Sequence, residues 1–332
     1  MLGVEETYVI EPLLIHPSCE AELSFVSSDE NVAVVAADGT VTGVGAGTAE
    51  ITVTAVYGDV TVSDICRVVI FGEGDGLLAF ENKTNTWSTI SRMDATNVTS
   101  VSEAQPGVVA AAYVGDTIYG YDAQHVFFKV EGDAYTRTDL GAAGLEPGPM
   151  GEIGADFMDI RGMAYDAAND RLLVLAAKCA LQDGWIDEYL GGAAIYEVNM
   201  ETGALTALVT LDENLYGVRG MTVGGDGSVY VYTAFDAYFY VIDMETGSYE
   251  HKCTLQSLGI YGSSEHNMPM AYDAVTGLIY CLFTSNGSFH EMLTFDPATA
   301  KVQSLGQVGM VEYDPMEWVY NGPTFSALLI KN

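Results

Sequence analysis

Apolar and polar residues alternate along most of this chain in short runs, and small clusters rich in Gly, Asp, Asn and Ser separate the runs. A period of two indicates β-strands that bury one face, and the intervening clusters are typical of tight turns. In the first part of the chain the alternation is carried by Val32, Val34, Val41, Val44, Ile51 and Val53. The pattern therefore predicts an all-β protein whose sheets pack face to face.

The segment from Phe25 to Ala55 reads FVSSDENVAVVAADGTVTGVGAGTAEITVTA. Its SSDEN, DG and GVGAG clusters mark turns, and Gly45 and Gly47 allow the reversal before the AEITVTA strand. The segment resembles the group-2 bacterial immunoglobulin-like family, in which an aromatic residue is common at the position of Phe25. The resemblance extends over residues 5 to about 71, although the first strand of the family is not evident before VEETYVIEP.

This resemblance implies an immunoglobulin-like β-sandwich over residues 1–71. It also implies a secreted or cell-surface protein, in which such a domain serves as a spacer or adhesin stalk. It implies no catalytic role for these residues.

Two kinds of hairpin alternate through the rest of the chain. The first kind has DxxTG-like turns that align Glu81, Glu131, Asn199, Asp243 and Asp296, and its copies begin near residues 77, 127, 195, 239 and 292. The second kind has a tight Asp or Gly turn between apolar strands, and its copies begin near residues 113, 163, 221, 270 and 323. Repeated hairpins indicate a β-propeller, whose blades each have four antiparallel strands, A to D; the pattern is similar to generic repeat propellers with YDxxTG and DxxTG turns.

The order of the hairpins predicts a five-bladed β-propeller over residues 72–332. Hairpins of the second kind fit strands A and B, and hairpins of the first kind fit C and D. The hairpin at about 318–330 then completes the blade begun at 77–91, so the strand near 327–330 pairs with the strand near 77–80. Such closure between the N- and C-terminal hairpins leaves no free sheet edge.

Composition narrows the classes of partner. The chain has 332 residues, with 46 Asp and Glu against 12 Lys and Arg, which gives a formal charge of −34. A surface this acidic repels nucleic acid and anionic lipid. No apolar run approaches the ~18 residues of a membrane-spanning helix, so we expect no membrane insertion. Residues 1–10 contain no signal peptide.

The five cysteines have no metal-ligand spacing and are expected to be buried apolar residues, with a Cys19 to Cys66 disulfide as the alternative. The aspartates of the DxxTG turns are expected to cap those turns rather than to bind calcium. We therefore predict no metal and no cofactor.

Long connections are expected at one end of the propeller. In a blade, the A–B and C–D turns lie at one end, and the B–C and D–A connections lie at the other. The first set is tight, and the second contains the long segments 91–107, 141–159, 178–193, 255–267 and 307–320. Long loops on a rigid scaffold commonly carry binding groups.

Two of the scarce arginines occupy equivalent positions. Arg161 in DIRGMAYD and Arg219 in GVRGMTVG both begin an A strand, and Asn321 in VYNGPTF aligns with them. Guanidinium groups placed in this way suit the carboxylate of an acidic sugar or a peptide. The alternative is structural: each arginine pairs with a nearby carboxylate, for which the candidates are Asp156, Asp159 and Glu265.

Aromatic and amide side chains of the same long loops complete the predicted site, because sugar and peptide recognition needs apolar rings beside polar partners. The predicted ligand-binding residues are Arg161, Arg219, Asn321, Trp185, Tyr238, His266, Asn267, Trp318 and Tyr320. Phe235 and Tyr261 lie in the same loops.

The predicted function is that of a binding or adhesion protein that recognises a glycan or an extracellular protein. The alternative is a glycoside hydrolase or lyase that uses paired carboxylates in the channel. Candidates for such a pair are Asp156, Asp159, Glu265, Glu312 and Glu317. Because 46 acidic residues place carboxylates near any point by chance, and no hydrolase, zincin or nucleotide motif is present, no catalytic residue is assigned.

Overall fold

The computed structural model describes residues 2–12, 21–72, 75–145, 156–182, 185–187, 192–260, 267–285, 289–309, 312–314, 319–321 and 323–332. Regular structure in these ranges is β-strand, apart from a 3-10 helix at Leu255–Leu258. The predicted all-β class is confirmed. None of the described residues belongs to a helix long and apolar enough to cross a membrane.

Contacts between residues divide the chain into two compact units. The first contains Met1–Gly76 together with Ser91–Asp94, and the second contains Leu77–Ile90 together with Ala95–Asn332. We refer to them as the first and second units.

The first unit has two sheets. Its strands are β1 (Leu2–Gly3), β2 (Thr7–Val9), β3 (Glu22–Ser27), β4 (Ala33–Val35), β5 (Thr40–Gly43), β6 (Gly47–Tyr57) and β7 (Val60–Phe71). One sheet has the order β1-β7-β6-β3 and the other the order β2-β5-β4. Val41 of the second sheet and Ile51 and Ile70 of the first belong to one buried cluster, so the sheets pack face to face.

Two details of this unit differ from the sequence prediction. The N-terminal residues do form strands, because β1 pairs in parallel with β7 and β2 pairs antiparallel with β5. Val34 and Val44, which were expected on the apolar face, are exposed. The buried neighbour of Val34 is Ala33, so the side chains of β4 alternate in the opposite sense to the one predicted.

The strands of the second unit follow one another with short connections in most places. They are β8 (Gly76–Glu81), β9 (Thr86–Ser91), β10 (Val98–Ser100), β11 (Ala110–Val114), β12 (Thr117–Tyr121), β13 (Val126–Glu131), β14 (Thr136–Ala142), β15 (Asp156–Asp166), β16 (Arg171–Gln182), β17 (Trp185–Asp187), β18 (Ala194–Val198), β19 (Leu205–Thr210), β20 (Val218–Val223), β21 (Val229–Thr233), β22 (Tyr238–Ile242), β23 (Tyr249–Thr254), β24 (Met270–Asp273), β25 (Leu278–Ser285), β26 (Phe289–Asp296), β27 (Lys301–Gln307), β28 (Glu312–Asp314), β29 (Val319–Asn321) and β30 (Phe325–Leu329).

These strands form antiparallel sheets of similar design. Four sheets follow the chain as β11-β12-β13-β14, β15-β16-β18-β19, β20-β21-β22-β23 and β24-β25-β26-β27, and a further sheet has the order β10-β9-β8-β30. We call β11, β15, β20, β24 and β30 the inner strands. They contact one another in the cyclic order β30, β11, β15, β20, β24 and back to β30. A separate buried apolar cluster fills the space between each successive pair of these sheets.

The predicted pairing of the chain ends is confirmed. Ala327 lies opposite Phe80, and Leu329 lies opposite Leu78, in an antiparallel pair between β30 and β8. The sheet is nevertheless assembled differently from the prediction, because only β30 comes from the C-terminal part of the chain. The fourth strand is β10, and β28 pairs with β29 instead.

The strands of this sheet were assigned wrongly because of the turn between β8 and β9. Glu81 accepts hydrogen bonds from the main-chain N–H groups of Lys83 and Thr84, as Asn199 does from Glu201 and Thr202. The same local turn therefore joins the second and third strands of one sheet and the third and fourth strands of another. Residues 92–97 were predicted to lie in a long D–A connection. They instead join the neighbouring strands β9 and β10, at the end of the sheets where the A–B and C–D turns lie.

Candidate functional site

Both arginines singled out from the sequence are the extra residue of a β-bulge. The register of β15 with β16 shifts at Arg161, and the register of β20 with β21 shifts at Arg219. The corresponding bulge in β30 carries Ser326, so Ser326, rather than Asn321, is equivalent to the arginines. A bulge takes a side chain out of the regular alternation of the strand, which explains how a charged residue can begin an otherwise buried inner strand.

The glycine after each arginine allows neighbouring inner strands to approach closely. A Cβ atom on Gly162 would lie 2.7 Å from the main-chain nitrogen of Met221, and one on Gly220 would lie 2.1 Å from the main-chain oxygen of Met268. Any side chain there would collide with backbone. The Arg-Gly-Met sequence shared by β15 and β20 therefore combines a bulge with a close approach of strands.

Arg161 is held by groups from three parts of the second unit. Its Nη1 donates to Oδ1 of Asn267 at 3.1 Å, and its Nη2 donates to Sγ of Cys179 at 3.0 Å. The same Nη2 lies 3.1 Å from Oδ2 of Asp159. Only 6% of the Arg161 surface is exposed. This ion pair is one of the contacts that the structural alternative predicted.

Asp159 also links Arg161 to a buried histidine, His125, which was not among the predicted site residues. Its Oδ1 lies 4.0 Å from Nε2 of the buried His125, whose Nδ1 is 3.2 Å from the main-chain oxygen of Leu145. Burial alone would raise the pKa of Asp159, but His125, Arg161 and Arg219 outweigh it and hold that pKa below its usual value. The Asp159 side chain remains 32% exposed, so it is an ionised acceptor within reach of solvent.

Burial would lower the pKa of His125, but its interactions with Asp159 and the Leu145 carbonyl are stronger and raise it. Arg219 has 7% of its surface exposed, and the charges of Arg161 and Asp159 act on its pKa as well. Burial, followed by the like charge of Arg161, lowers the pKa of Arg219 to about 10. The Arg219 guanidinium is therefore still protonated at neutral pH.

Two exposed aromatic side chains lie at the same end of the second unit. Tyr216 is 42% exposed and precedes β20, and Phe235 is 60% exposed and follows β21. The main-chain N–H of Ala234 donates to the oxygen of Gly217 at 2.9 Å, which brings these two segments together. Phe235 was noted from the sequence, whereas Tyr216 was missed because nothing in its local sequence distinguishes it from a packing residue.

The remaining predicted residues have different outcomes. Asn267 is brought to Arg161, as described above. Tyr238 is half-buried in β22, with its ring centre 4.5 Å from that of His251. Trp185 lies in β17, and Tyr320 and Asn321 lie in β29, but their side chains are outside the described part of the structure. His266 and Trp318 lie outside the described residues, as do Glu265, Glu317 and the side chains of Asp156 and Glu312.

Sulfur and carboxylate chemistry adds no metal site in the described part of the chain. Cys66, Cys179, Cys253 and Cys281 are free thiols, so Cys66 is not in a disulfide, and Cys19 lies outside the described residues. No cluster of three or more His, Cys, Asp or Glu side chains that could hold a metal ion occurs among the described residues. Asp243 and Asp296 cap their turns, accepting from the N–H groups of Glu245 and Ala298, as expected for turn residues.

Solved structures similar to this chain include TolB from Acinetobacter baumannii, with 12% identity and a TM-score of 0.42 over 87% of this chain and 70% of TolB. The gluconolactonase XC5397 from Xanthomonas campestris has 11% identity and a TM-score of 0.40 over 76% of this chain and 84% of its own. Virginiamycin B lyase from Staphylococcus aureus has 10% identity and a TM-score of 0.34 over 89% and 94%. At such values the likeness carries no conclusion about ligand or activity.

A search of curated protein sequences finds no significant match. Residues 17–65, in contrast, match the sequence profile of the bacterial Ig-like domain (group 2) family, which supports an immunoglobulin-like fold for this part of the chain.

Proposed function

We propose that this chain is a secreted or cell-surface binding protein. The immunoglobulin-like domain acts as a spacer, and the second unit is a five-bladed β-propeller that recognises a glycan, with acidic sugars as the preferred class. The closed cyclic order of the inner strands and the apolar clusters between successive sheets support the five-bladed architecture.

The proposed binding surface is the end at which the inner strands begin. The observation that carries the proposal is the presence, at this one end, of a charged donor and acceptor pair and of exposed aromatic rings. Arg161 and Asp159 form the pair, and Tyr216 and Phe235 supply the rings. Sugar rings present apolar C–H faces that stack on aromatic rings, and their hydroxyl groups both donate and accept hydrogen bonds.

The sign of the charges favours an acidic sugar. Arg161 and Arg219 are two of only 12 basic residues in a chain of formal charge −34, and they lie at equivalent bulges of neighbouring inner strands. A carboxylate that reached this position would meet guanidinium donors in a region of low dielectric, where charge-assisted hydrogen bonds are strong.

The lowered pKa of Asp159 suits a hydrogen-bond acceptor and excludes this residue as the proton donor of a hydrolase, although the nucleophile or base of such an enzyme is also an ionised carboxylate. A glycosidase needs one carboxyl group whose pKa is raised, so that it can donate a proton to the leaving group. Asp159 has the opposite shift, because His125, Arg161 and Arg219 stabilise its charged form. As a permanent acceptor it suits recognition of a hydroxyl group.

The test is a glycan array that includes uronate- and sialate-containing oligosaccharides together with neutral ones, with product analysis for every glycan that binds. For the glycan that binds best, Phe235→Ala should weaken binding by roughly fivefold, as expected for loss of a stacking ring. The control is Val275→Ala, which removes an exposed apolar side chain in the turn between β24 and β25, at the opposite end.

Arg161→Ala should weaken binding by roughly tenfold or more, because a charged hydrogen bond is lost. Its control is Arg137→Ala, which breaks a different buried ion pair, with Asp122, and should lower stability without changing affinity. If Arg161→Ala lowers stability but retains full affinity, the structural alternative holds. Cleavage of any bound glycan would replace the proposal by the hydrolase or lyase alternative, and binding to proteins but no glycan would replace the ligand class.

A further inference from the structure

A second cavity lies inside the ring of inner strands, at the end opposite to Arg161. Its volume is about 170 Å³, and all five inner strands line it near the points where they end. The five inner strands contribute one residue each at equivalent positions: Tyr113, Tyr165, Val223, Tyr272 and Ile330. In β15, β20 and β30 this residue lies four positions after the bulge. These five side chains also pack in or against the apolar clusters between neighbouring sheets, so each lines the cavity with only part of its surface.

The polar groups of this cavity come largely from backbone. In the described sheets each inner strand pairs with one neighbour only: β11 with β12, β15 with β16, β20 with β21, β24 with β25, and β30 with β8. The other edge of each inner strand faces the channel, and its N–H and C=O groups need partners there. Thr222 adds a hydroxyl to the lining, whereas the Asn332 amide donates to the main-chain oxygen of Tyr272 and accepts from the N–H of Ala274, so it covers part of the β24 edge.

Charged side chains do not contribute to the described lining of this cavity, although charged residues make up 17% of the sequence. A wall of neutral donors, neutral acceptors and aromatic rings matches a ligand that has hydroxyl groups and an apolar face but no net charge. A charged ligand would lose its hydration here without gaining an ionic partner.

The dimensions restrict the ligand further. An engineered protein cavity of about 150 Å³ holds benzene, so about 170 Å³ accommodates one six-membered ring with part of its substituents outside the mouth. Toward Arg161 the channel narrows to a space of about 10 Å³, lined by Met163, Met221 and Met270 among others. This is room for about one water molecule, so the cavity is a separate site from the one proposed above.

We propose that this cavity binds one uncharged, hydroxylated six-membered ring, such as a neutral monosaccharide or the terminal neutral sugar of a longer chain. Its apolar face packs on the parts of Tyr113, Tyr165 and Tyr272 that line the mouth, and its hydroxyl groups bond to the edges of the inner strands that Asn332 does not cover. The inference does not depend on the function proposed for the arginine-bearing end.

The experiment uses the full chain and two neighbouring substitutions. Ala167 lines the mouth and is exposed, so Ala167→Trp covers the cavity without disturbing packed residues. Ala168 is also exposed but does not line the cavity, and Ala168→Trp is the matched control. Binding of glucose, galactose, mannose and N-acetylglucosamine, with glucuronate as the charged comparison, is measured by ligand-observed NMR and calorimetry.

We expect at least one neutral sugar to bind with a Kd on the order of 1 mM, which is typical of a single small ring. Ala167→Trp should weaken it at least tenfold, whereas Ala168→Trp and Phe235→Ala should leave it unchanged. The inference is overturned if no neutral sugar binds, if glucuronate binds equally well, or if the two tryptophan variants behave alike. Sensitivity to Phe235→Ala alone would assign the binding to the other end of the ring.

Discussion

Nη2 of Arg161 lies 3.1 Å from Oδ2 of Asp159, two residues earlier in the same strand, and this ion pair is buried on one side only. The Arg161 side chain is almost inaccessible, whereas about a third of the Asp159 side chain is exposed. Solvent therefore screens the carboxylate more than the guanidinium, and the two partners do not respond equally to loss of the other.

This asymmetry gives a first prediction. Arg161→Met should lower the free energy of unfolding by about 1–3 kcal/mol, because the remaining carboxylate can still be hydrated. Arg137→Met should cost more, about 3–5 kcal/mol, because it leaves Asp122 charged in a position where both partners are almost fully buried. Urea denaturation of both variants measures the difference. An Arg161→Met variant that is the less stable of the two would show that solvent does not screen Asp159.

The arginine site also shows what the sequence could reveal and what it could not. The repeated Arg-Gly-Met sequence identified Arg161 and Arg219 as equivalent, since both the bulge and the close strand approach depend on adjacent residues. The approach of His125 to Asp159 depends on how two sheets are placed, and no local pattern reports it.

The fold of the second unit likewise has features that the sequence predicted and features that it did not. Alternation and turn chemistry were sufficient to predict the hairpins and the pairing of β30 with β8. They did not predict β10, because Val98–Ser100 is short and largely polar and its half-exposed position requires no apolar face. Nor could a turn that is the same in two settings reveal which strands of a sheet it joins.

A second prediction concerns pH. The folded protein raises the pKa of His125 above its ordinary value of 6.5, so the protonated form stabilises the fold. That stabilisation is complete below pH 6.5 and is lost as the pH rises through the folded-state pKa. Asp159 does not titrate in this range, because its pKa is held below 3.8.

The test is His125→Asn, since asparagine tolerates the backbone φ of +57° at this position. Histidine titrates between about pH 6 and pH 8. In this range the free energy of unfolding of the unaltered protein should fall more steeply with pH than that of the variant. The difference between the two curves removes the contribution of the other histidines. Parallel curves would mean that His125 and Asp159 are not coupled.

A third prediction concerns the glycine that follows Arg219. Gly220→Ala would place its Cβ atom 2.1 Å from the main-chain oxygen of Met268, and backbone can move away only by separating β20 from β24. The substitution should cost about 2 kcal/mol or more. Gly107→Ala is the control, because its Cβ would have Asn85 Oδ1 at 3.8 Å as its nearest neighbour. Equal melting temperatures for the two variants would contradict the close approach.

The last prediction tests the closure of the ring by deletion of residues 321–332. The deletion removes β30, which leaves β8 without one of its two partners and exposes the apolar clusters on either side that contain Leu328 and Leu329. Because the stability of a closed ring depends on every sheet having two neighbours, we expect the second unit to lose its cooperative unfolding transition, measured by circular dichroism and calorimetry. Removal of Lys331 and Asn332 alone keeps β30 and should preserve the transition.

Addition of a peptide that spans residues 321–332 should restore the transition to the shortened chain, since the peptide supplies the missing strand. A shortened chain that unfolds cooperatively without the peptide would show that the remaining sheets are stable as an open arc, and that β30 is an accessory strand rather than the one that closes the ring.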